Sequence, residues 1–241
     1  NEPMKTESDG CEIVRDLYFN VPLIAHEVCH YTALRDFYAL KEKFIKSGAP
    51  MPWWIDEEIK LVEEKGYKES FGEMFAASKH FQFICWKTAY EEMRKSALLG
   101  GFHFLQFADT DAYENSNGVV DCFDDETCVK PEEFLKFNGD RVIIADLGSR
   151  NRYCSEEITV PVYLSNLGED DVKKADLYIS VEKDGKSYVG CSMKNLDVTR
   201  KGAYRLCKTR ITLPNESGVY ALKIKLVAKN ELYCENEWTI W

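Results

Sequence analysis

The sequence has 241 residues, enough for one large domain or two ordinary ones, and its 45% hydrophobic and 13% aromatic content can bury a substantial core. Aspartate and glutamate number 41 against 31 lysines and arginines, and the formal net charge of −10 argues against nucleic acid or an anionic membrane surface as the main partner. No apolar run approaches the roughly 20 residues that a membrane-spanning helix needs. The composition therefore predicts a globular protein that binds neither nucleic acid nor membrane.

The first predicted element is a short buried strand over Leu17–Ala25. Pro22 disfavours the middle of a helix, and the aliphatic run around it is too short for one. Apolar residues then recur at helical spacing over Thr32–Ser47, and Gly48 followed by Pro50 is a stop signal. We therefore expect a strand followed by a first helix.

Two further helices are predicted before the next strand. Asp56 is expected to cap the first of them and Gly66 to end it. The second runs from about Glu69 to Ser96, and Gly100-Gly101 is expected to close it. Its inward face is predicted to carry Phe71, Met74, Phe75, Phe81, Cys85, Ala89 and Met93, with Trp86 also in the core.

A second strand is predicted over Phe102–Ala108, where phenylalanine alternates with other residues. Asp109 and Asp111 follow directly after its C-terminal end. A strand, helices and a strand form a βαβ unit, whose two strands run parallel. A polar loop and a short helix from Pro131 follow, and we place a domain boundary at Gly139.

From Arg141 onward the apolar period changes to two, as in the alternation of Ile158, Val160, Val162 and Leu164. Turn signals such as Asp184-Gly185 separate about seven short runs of this kind. That spacing is typical of an antiparallel β-sandwich. The predicted domains are therefore residues 1–139, which are α/β, and residues 140–241, which are all-β.

Nine cysteines are scattered along the chain, and none forms a Cys-x-x-Cys pair. Several lie in apolar periodic segments, where free cysteine behaves as a small buried hydrophobic residue. They are expected to be reduced packing residues, which favours a reducing compartment such as the cytoplasm.

The stretch from His26 to His30 places ionisable groups directly after an apolar run. Within a helix it would be the H-E-x-x-H pattern, in which both histidines share one face and could bind zinc while Glu27 acts as a base. Glu69 or Glu73 would then supply the third ligand. The pattern thus allows a zinc peptidase.

If Glu27 instead lies at the end of a strand, a different role is indicated. A carboxylate that follows a buried apolar strand is costly unless an ion pair or a function requires it. Pro22 lies four residues before His26, which weighs against the helix without excluding it. Asp109 and Asp111 fit equally well as site residues or as turn formers.

Short motifs along the chain follow the order found in one enzyme family. They are Pro22–Tyr31, Trp53-Trp54, Gln82 with Cys85-Trp86-Lys87, Gly101-Phe102, Gly118–Asp121, Lys130–Phe134 and Asn236–Trp241. In these motifs the chain resembles the β-galactosidase-like enzymes of glycoside hydrolase family two. Cys29 and His30 depart from the glycine and glutamine expected in the closest relatives, and the loop after Asp109 lacks their glycine-rich pattern.

The resemblance implies the last strands and helices of a (β/α)₈ barrel in residues 1–139, followed by an immunoglobulin-like antiparallel β-sandwich. It implies that Glu27 is the nucleophile of a retaining glycosidase, which acts on a carbohydrate without a cofactor. The candidate substrate-binding residues are His26, His30, Asp109 and Asp111.

A retaining glycosidase also needs a second carboxyl group as its acid/base catalyst. In the family it resembles, that glutamate lies on an earlier barrel strand, whereas only 26 residues precede Glu27 here. The chain is therefore expected to be a fragment that is inactive in isolation. Its exposed strands should pair with the remainder of the barrel or with another chain. A zinc metallopeptidase and a non-catalytic carbohydrate-binding or structural fragment remain open as alternatives.

Overall fold

The computed structural model describes residues 22–96, 99–127, 129–169 and 172–241. The described residues form a helical unit of Pro22–Tyr90 and Gly100–Pro131, and a sandwich unit of Glu91–Leu99 and Glu132–Trp241. In chain order the elements are β1 (Leu23–Val28), α1 (Phe37–Ser47), α2 (Trp53–Glu64), α3 (Phe71–Lys95), β2 (Leu99–Phe104), α4 (Pro131–Asn138), β3 (Arg141–Ala145), β4 (Glu157–Asn166), β5 (Ala175–Lys183), β6 (Lys186–Leu196), β7 (Gly202–Thr212), β8 (Tyr220–Ala228) and β9 (Glu231–Ile240).

β1 and β2 form a two-stranded sheet. A Cβ atom built on Gly100 would lie 2.9 Å from the Cβ of Pro22, and at the far end the carbonyl of Val28 accepts a 3.0 Å hydrogen bond from the amide of Leu105. Because the neighbours occur in the same order at both ends, the strands run parallel, and the predicted βαβ arrangement is present. The prediction that Gly100 closes a helix is wrong, since the glycine lies in β2, where Pro22 leaves no room for a side chain.

β1 is less buried than the sequence predicts. Its side chains alternate between half-buried and exposed positions, and Ile24 is 44% exposed. Leu17, the predicted start, lies outside the described residues. The strand also extends past its predicted end at Ala25 and includes Glu27.

α1 begins at Phe37, five residues later than predicted, because Asp36 caps it. The Asp36 carboxylate accepts a 3.0 Å hydrogen bond from the Ala39 amide. The preceding Ala33 is in extended backbone and exchanges two hydrogen bonds with Ser116, at 2.9 and 3.1 Å. Gly48 ends the helix as predicted, with a φ of +72°.

α2 begins at Trp53, directly after Pro52. The prediction that Asp56 caps this helix is wrong, since Asp56 lies in the first turn and forms a 2.6 Å ion pair with Lys41. Trp54 is fully buried while Trp53 is exposed. The apolar core that α1, α2 and the start of α3 share consists of Phe37, Leu40, Phe44, Trp54, Ile55 and Phe71.

α3 has the predicted length but a different buried face. Phe81, predicted to point inward, is 66% exposed. The buried positions along the helix are Phe71, Lys79, Gln82, Trp86, Lys87, Tyr90, Glu91 and Met93, and Trp86 is a core residue as predicted. The face was misassigned because polar residues occupy several of its buried positions, and a pattern of apolar residues alone cannot show them.

The sandwich prediction is confirmed. Within the described part of residues 140–241, seven strands form two antiparallel sheets, in the orders β3-β4-β7 and β6-β5-β8-β9. Their alternating residues meet in one core that includes Val160, Leu164, Leu177, Leu222 and Trp238. Asp184 and Gly185 form the predicted tight turn between β5 and β6, both with positive φ. The immunoglobulin-like topology and the partial (β/α)₈ barrel stay predictions.

The described cysteines are free thiols, and all except the exposed Cys154 are buried or half-buried. Burial raises the pKa of Cys29 and of Cys234 to about 12, and that of Cys207 to about 11. These three thiols therefore stay protonated near neutral pH and act as packing groups. Within the described ranges, no helix is long and apolar enough to cross a membrane.

The buried carboxylate of Glu91, in the part of the chain that belongs to the sandwich unit, accepts hydrogen bonds from β9. It accepts hydrogen bonds from Asn236 Nδ2 at 2.8 Å and from Trp238 Nε1 at 2.9 Å. Asn236 Nδ2 also donates to the carbonyl of Ile143 at 3.0 Å. All three side chains are buried, so each lost partner leaves a polar group without water to replace it.

We expect Glu91→Gln to destabilise the fold by about 1–3 kcal/mol, because one acceptor oxygen becomes an NH₂ group that faces another donor. Urea unfolding followed by tryptophan fluorescence measures the change. Glu73→Gln, at an exposed position of the same helix, is the matched control and should change the free energy of unfolding by less than about 0.5 kcal/mol. Equal unfolding midpoints for the two variants would contradict the role of Glu91.

Candidate active site at the ends of β1 and β2

Glu27 lies at the C-terminal end of β1 with its side chain in solvent. Its φ is +52°, and the following Cys29 has a φ of +66°, both in the left-handed region that non-glycine residues rarely occupy. This geometry interrupts the alternation of the strand, so that His26 and Glu27 are exposed in succession. The Glu27 side chain is 64% exposed and therefore open to a ligand.

Two histidines accompany Glu27. His26 Nδ1 lies 4.0 Å from a carboxylate oxygen of Glu27, and the His26 ring meets the His103 ring edge to face at 5.4 Å. His103 lies on β2 and is missing from the sequence prediction. Its position beside His26 follows only from the register of the two parallel strands, which the sequence does not give.

His30 is exposed and follows the turn at Cys29. The zinc interpretation requires His26 and His30 on one helical face, but the first is in a strand and the second lies beyond its end. Among the residues that the structure describes, no group of three or more histidine, cysteine, aspartate or glutamate side chains could hold a metal ion. The helical H-E-x-x-H interpretation is therefore wrong, because Leu23–Val28 forms a strand and not a helix.

Asp109 is buried within the loop that follows β2. One of its carboxylate oxygens accepts hydrogen bonds from the amides of Asn117 at 2.9 Å and Gly118 at 2.7 Å, and the other accepts from the Ser116 hydroxyl at 2.6 Å. A Cβ atom on Gly118 would lie 2.4 Å from the Asp109 nitrogen, so only glycine fits there. Through these contacts Asp109 fixes the conformation of its loop.

Asp111 is exposed, and its backbone carbonyl accepts a 2.8 Å hydrogen bond from Trp54 Nε1. The carboxylates of Asp109 and Asp111 therefore differ in environment: the first is engaged within the protein and the second faces solvent. Direct contact of either carboxylate with a substrate stays a prediction.

Arg35 is a buried residue of this region that the sequence prediction missed. Its side chain is 2% exposed and lies 4.9 Å from the centre of the Trp54 ring. It donates to the carbonyls of Thr110 and Asn115 at 2.7–3.0 Å, and its Nε lies 3.9 Å from Asp109. Burial lowers the pKa of Arg35, while the nearby Asp109 opposes that shift. A single arginine just before a helix gives no sequence signal of such burial.

Three polar side chains of α3, which we call the α3 tether, hold the backbone after both strands: Lys79, Gln82 and Trp86. Trp86 Nε1 donates to the Cys29 carbonyl at 3.0 Å. Gln82 Nε2 donates to the carbonyls of Tyr31 at 2.5 Å and Ser116 at 2.8 Å.

Lys79 completes this set of contacts. Its ammonium group donates to the Ser116 hydroxyl at 2.5 Å and to Gln82 Oε1 at 3.1 Å. Gln82 thus connects the segment after Glu27 with the loop that Asp109 organises. The spacing of Lys79, Gln82 and Trp86 by three and four residues could have revealed a shared buried face.

Comparison with known proteins finds similarity in structure and none in sequence. No family model matches the chain, and no curated protein matches it. The chain is similar to the crystal structure of a β-D-mannosidase from Dictyoglomus thermophilum, with a TM-score of 0.57 and 14% identity, over 90% of this chain and 27% of the mannosidase. An exo-chitosanase from Amycolatopsis orientalis gives a TM-score of 0.48 and 14% identity, over 69% of this chain and 19% of that enzyme. The chain therefore has a glycoside hydrolase-like fold and spans about a quarter of the mannosidase's length.

We expect Gln82→Leu to loosen the two segments that Gln82 connects. The carbonyls of Tyr31 and Ser116 would lose their shared donor, so the amides of residues 31–33 and 115–118 should exchange with deuterium on the order of tenfold faster. Mass spectrometry of peptides covering both segments measures the rates. His80→Leu, at an exposed position of α3, is the control. Unchanged exchange in both segments of the Gln82 variant would contradict the connection.

Proposed function

We propose that this chain is part of a retaining glycoside hydrolase, with Glu27 as its nucleophile, and that it is inactive in isolation. The observation that carries the proposal is the accessible Glu27 carboxylate at the C-terminal end of a strand that runs parallel to its neighbour. Active sites of parallel β/α folds lie at that end of their strands. The glycoside hydrolase-like fold of the chain supports the same conclusion.

The nucleophile performs half of the reaction. Glu27 attacks the anomeric carbon of a β-glycoside and forms a covalent glycosyl-enzyme, which water then hydrolyses. A second carboxyl group about 5–5.5 Å away protonates the leaving oxygen and later activates the water. In this proposal that acid/base residue comes from outside the chain, while His26 and His30 flank the nucleophile and contact the sugar. Asp111 is available to a substrate from the loop after β2.

The proposed organisation assigns residues 1–139 to the end of a (β/α)₈ barrel and residues 140–241 to the following β-sandwich domain. Such a barrel has eight parallel strands. Within the described residues, β1 and β2 pair only with each other, which supports a need for further strands at their edges. The remainder of the barrel, in the same protein or in another chain, is the proposed partner.

We expect the isolated chain to release no nitrophenolate from 4-nitrophenyl β-D-galactoside or β-D-mannoside, because in this proposal the acid/base residue and the further barrel strands that bind the sugar lie outside it. In a longer product that carries these residues together with further barrel strands, hydrolysis is expected. There Glu27→Gly should lower kcat on the order of 10⁴-fold. Azide should then restore turnover, because the small anion occupies the vacated side of the anomeric carbon and forms an α-glycosyl azide.

The matched control is Glu42→Gln, at an exposed position of α1, which should leave hydrolysis unchanged. Two results would contradict the proposal. The first is turnover by the isolated chain that Glu27→Gly abolishes, which would mean that the acid/base residue is present. The second is full activity of the longer Glu27→Gly product, or a rescue product with β configuration, which would mean that Glu27 is not the nucleophile.

A further inference from the structure

The helical unit contains a cavity of about 180 Å³ that does not include Glu27 among its lining residues. α1 contributes Ala39 and Leu40 to its wall, and α3 contributes Phe75. The other lining residues are polar or charged and come from the residues just before α1, from α1 and α3, and from the loop after β2. The cavity therefore combines a small apolar area with many hydrogen-bonding groups.

The charged side chains that line the cavity are engaged in contacts. Glu126 pairs with Lys130 at 3.1 Å, Asp36 caps α1, and Lys79 donates to the Ser116 hydroxyl.

Lys43 forms ion pairs with Asp121 at 2.5 Å and with Asp125 at 2.6 Å, and both hydrogen bonds raise the pKa of Lys43 against the opposing effect of its burial. Arg35 faces Asp109. An anion would meet these engaged carboxylates, and a metal ion would meet the cations. The charge balance thus favours a neutral ligand.

Hydrogen-bonding capacity remains in the wall. Nη1 of Arg35 is buried and has no hydrogen-bond partner within the described part of the chain. The Thr127 hydroxyl donates to the Val119 carbonyl at 2.9 Å, which leaves its oxygen able to accept. Asp36 uses one carboxylate oxygen to cap α1. Donors and acceptors therefore both line the cavity.

We propose that this cavity binds one neutral sugar residue, either as a free monosaccharide or as the end of a longer saccharide. Sugar hydroxyls both donate and accept hydrogen bonds, and the C–H face of the ring packs against an aromatic or aliphatic wall. The volume of about 180 Å³ suits a ligand of that size and is too small for the larger ligands that occupy typical pockets. The proposal rests on the cavity alone and is independent of the role of Glu27.

The test is a titration of the ¹⁵N-labelled chain with mannose, galactose, glucose and their methyl glycosides, followed by NMR. We expect at least one of these sugars to shift the amides of residues 36–43 and 116–127, with a dissociation constant on the order of millimolar. A β-linked disaccharide that binds more tightly than its monosaccharide identifies a chain end as the ligand. Equal binding identifies the free sugar.

Ala39→Leu places a larger side chain in the cavity wall and should weaken binding at least tenfold. Both residues are strong helix formers, so α1 should still fold, which circular dichroism verifies. Ala77→Leu, at an exposed position of α3, is the matched control and should bind normally. The second variant is Lys43→Met, which removes a charged group from the lining without filling the cavity. It should bind the sugar more weakly. Glu27→Gly should leave this binding unchanged, so the result does not depend on the proposed hydrolase.

Three results would overturn the proposal. The first is the absence of sugar-dependent shifts in residues 36–43 and 116–127 at a sugar concentration on the order of 50 mM, which is about 50-fold the expected dissociation constant. The second is equal binding by the chain and by folded Ala39→Leu. The third is a stronger response of the same amides to inorganic phosphate or to Ca²⁺, which would identify an ion site.

Discussion

Side chains of α3 hold the backbone segments that follow β1 and β2. Trp86 donates to the Cys29 carbonyl, which also accepts from the Tyr31 amide, and Gln82 donates to the carbonyls of Tyr31 and Ser116 together. Each such hydrogen bond contributes about 0.5–1.5 kcal/mol to the conformation of its segment. The helix that connects the two strands therefore also fixes the segments that follow both of them.

The loop after β2 is held by a second set of side chain to backbone contacts. Arg35, just before α1, donates to two carbonyls of that loop, and Asp109 accepts from two of its amides. The Asp109 contacts are local, but Arg35 lies 75 and 80 residues before its two partners, so its contacts form only when the helical unit is folded. Trp86 and Gln82 hold the segment after Glu27 against a packed helix, which is the kind of support that the proposed role of Glu27 requires.

Apolar periodicity predicts most of the architecture. The change of period after Arg141 predicts the sandwich, and the stop signal at Gly48 predicts the end of α1. The cap at Asp36 and the strand position of Gly100 were missed, because a side-chain hydrogen bond decides the first and the approach of Pro22 decides the second. Both depend on contacts that form only in the folded chain.

The candidate site is only partly predictable from the sequence. Glu27 stands out because it follows an apolar run, and the structure keeps it at a strand end and in solvent. Arg35 and His103 leave no such trace, since nothing in the sequence marks this arginine as buried or sets two strands in register. Lys79 lies on a buried helical face, and patterns of apolar residues alone cannot detect such a polar position.

The positive φ of Glu27 lowers the stability of the fold at the residue to which the proposed reaction is assigned. A side chain in that backbone region costs roughly 1–2 kcal/mol, a cost that glycine does not incur. Selection for stability alone would favour glycine at this position, and the backbone conformation would stay the same. A carboxylate at this position therefore lowers the free energy of unfolding. Its replacement by glycine should raise that free energy while removing the proposed reactive group.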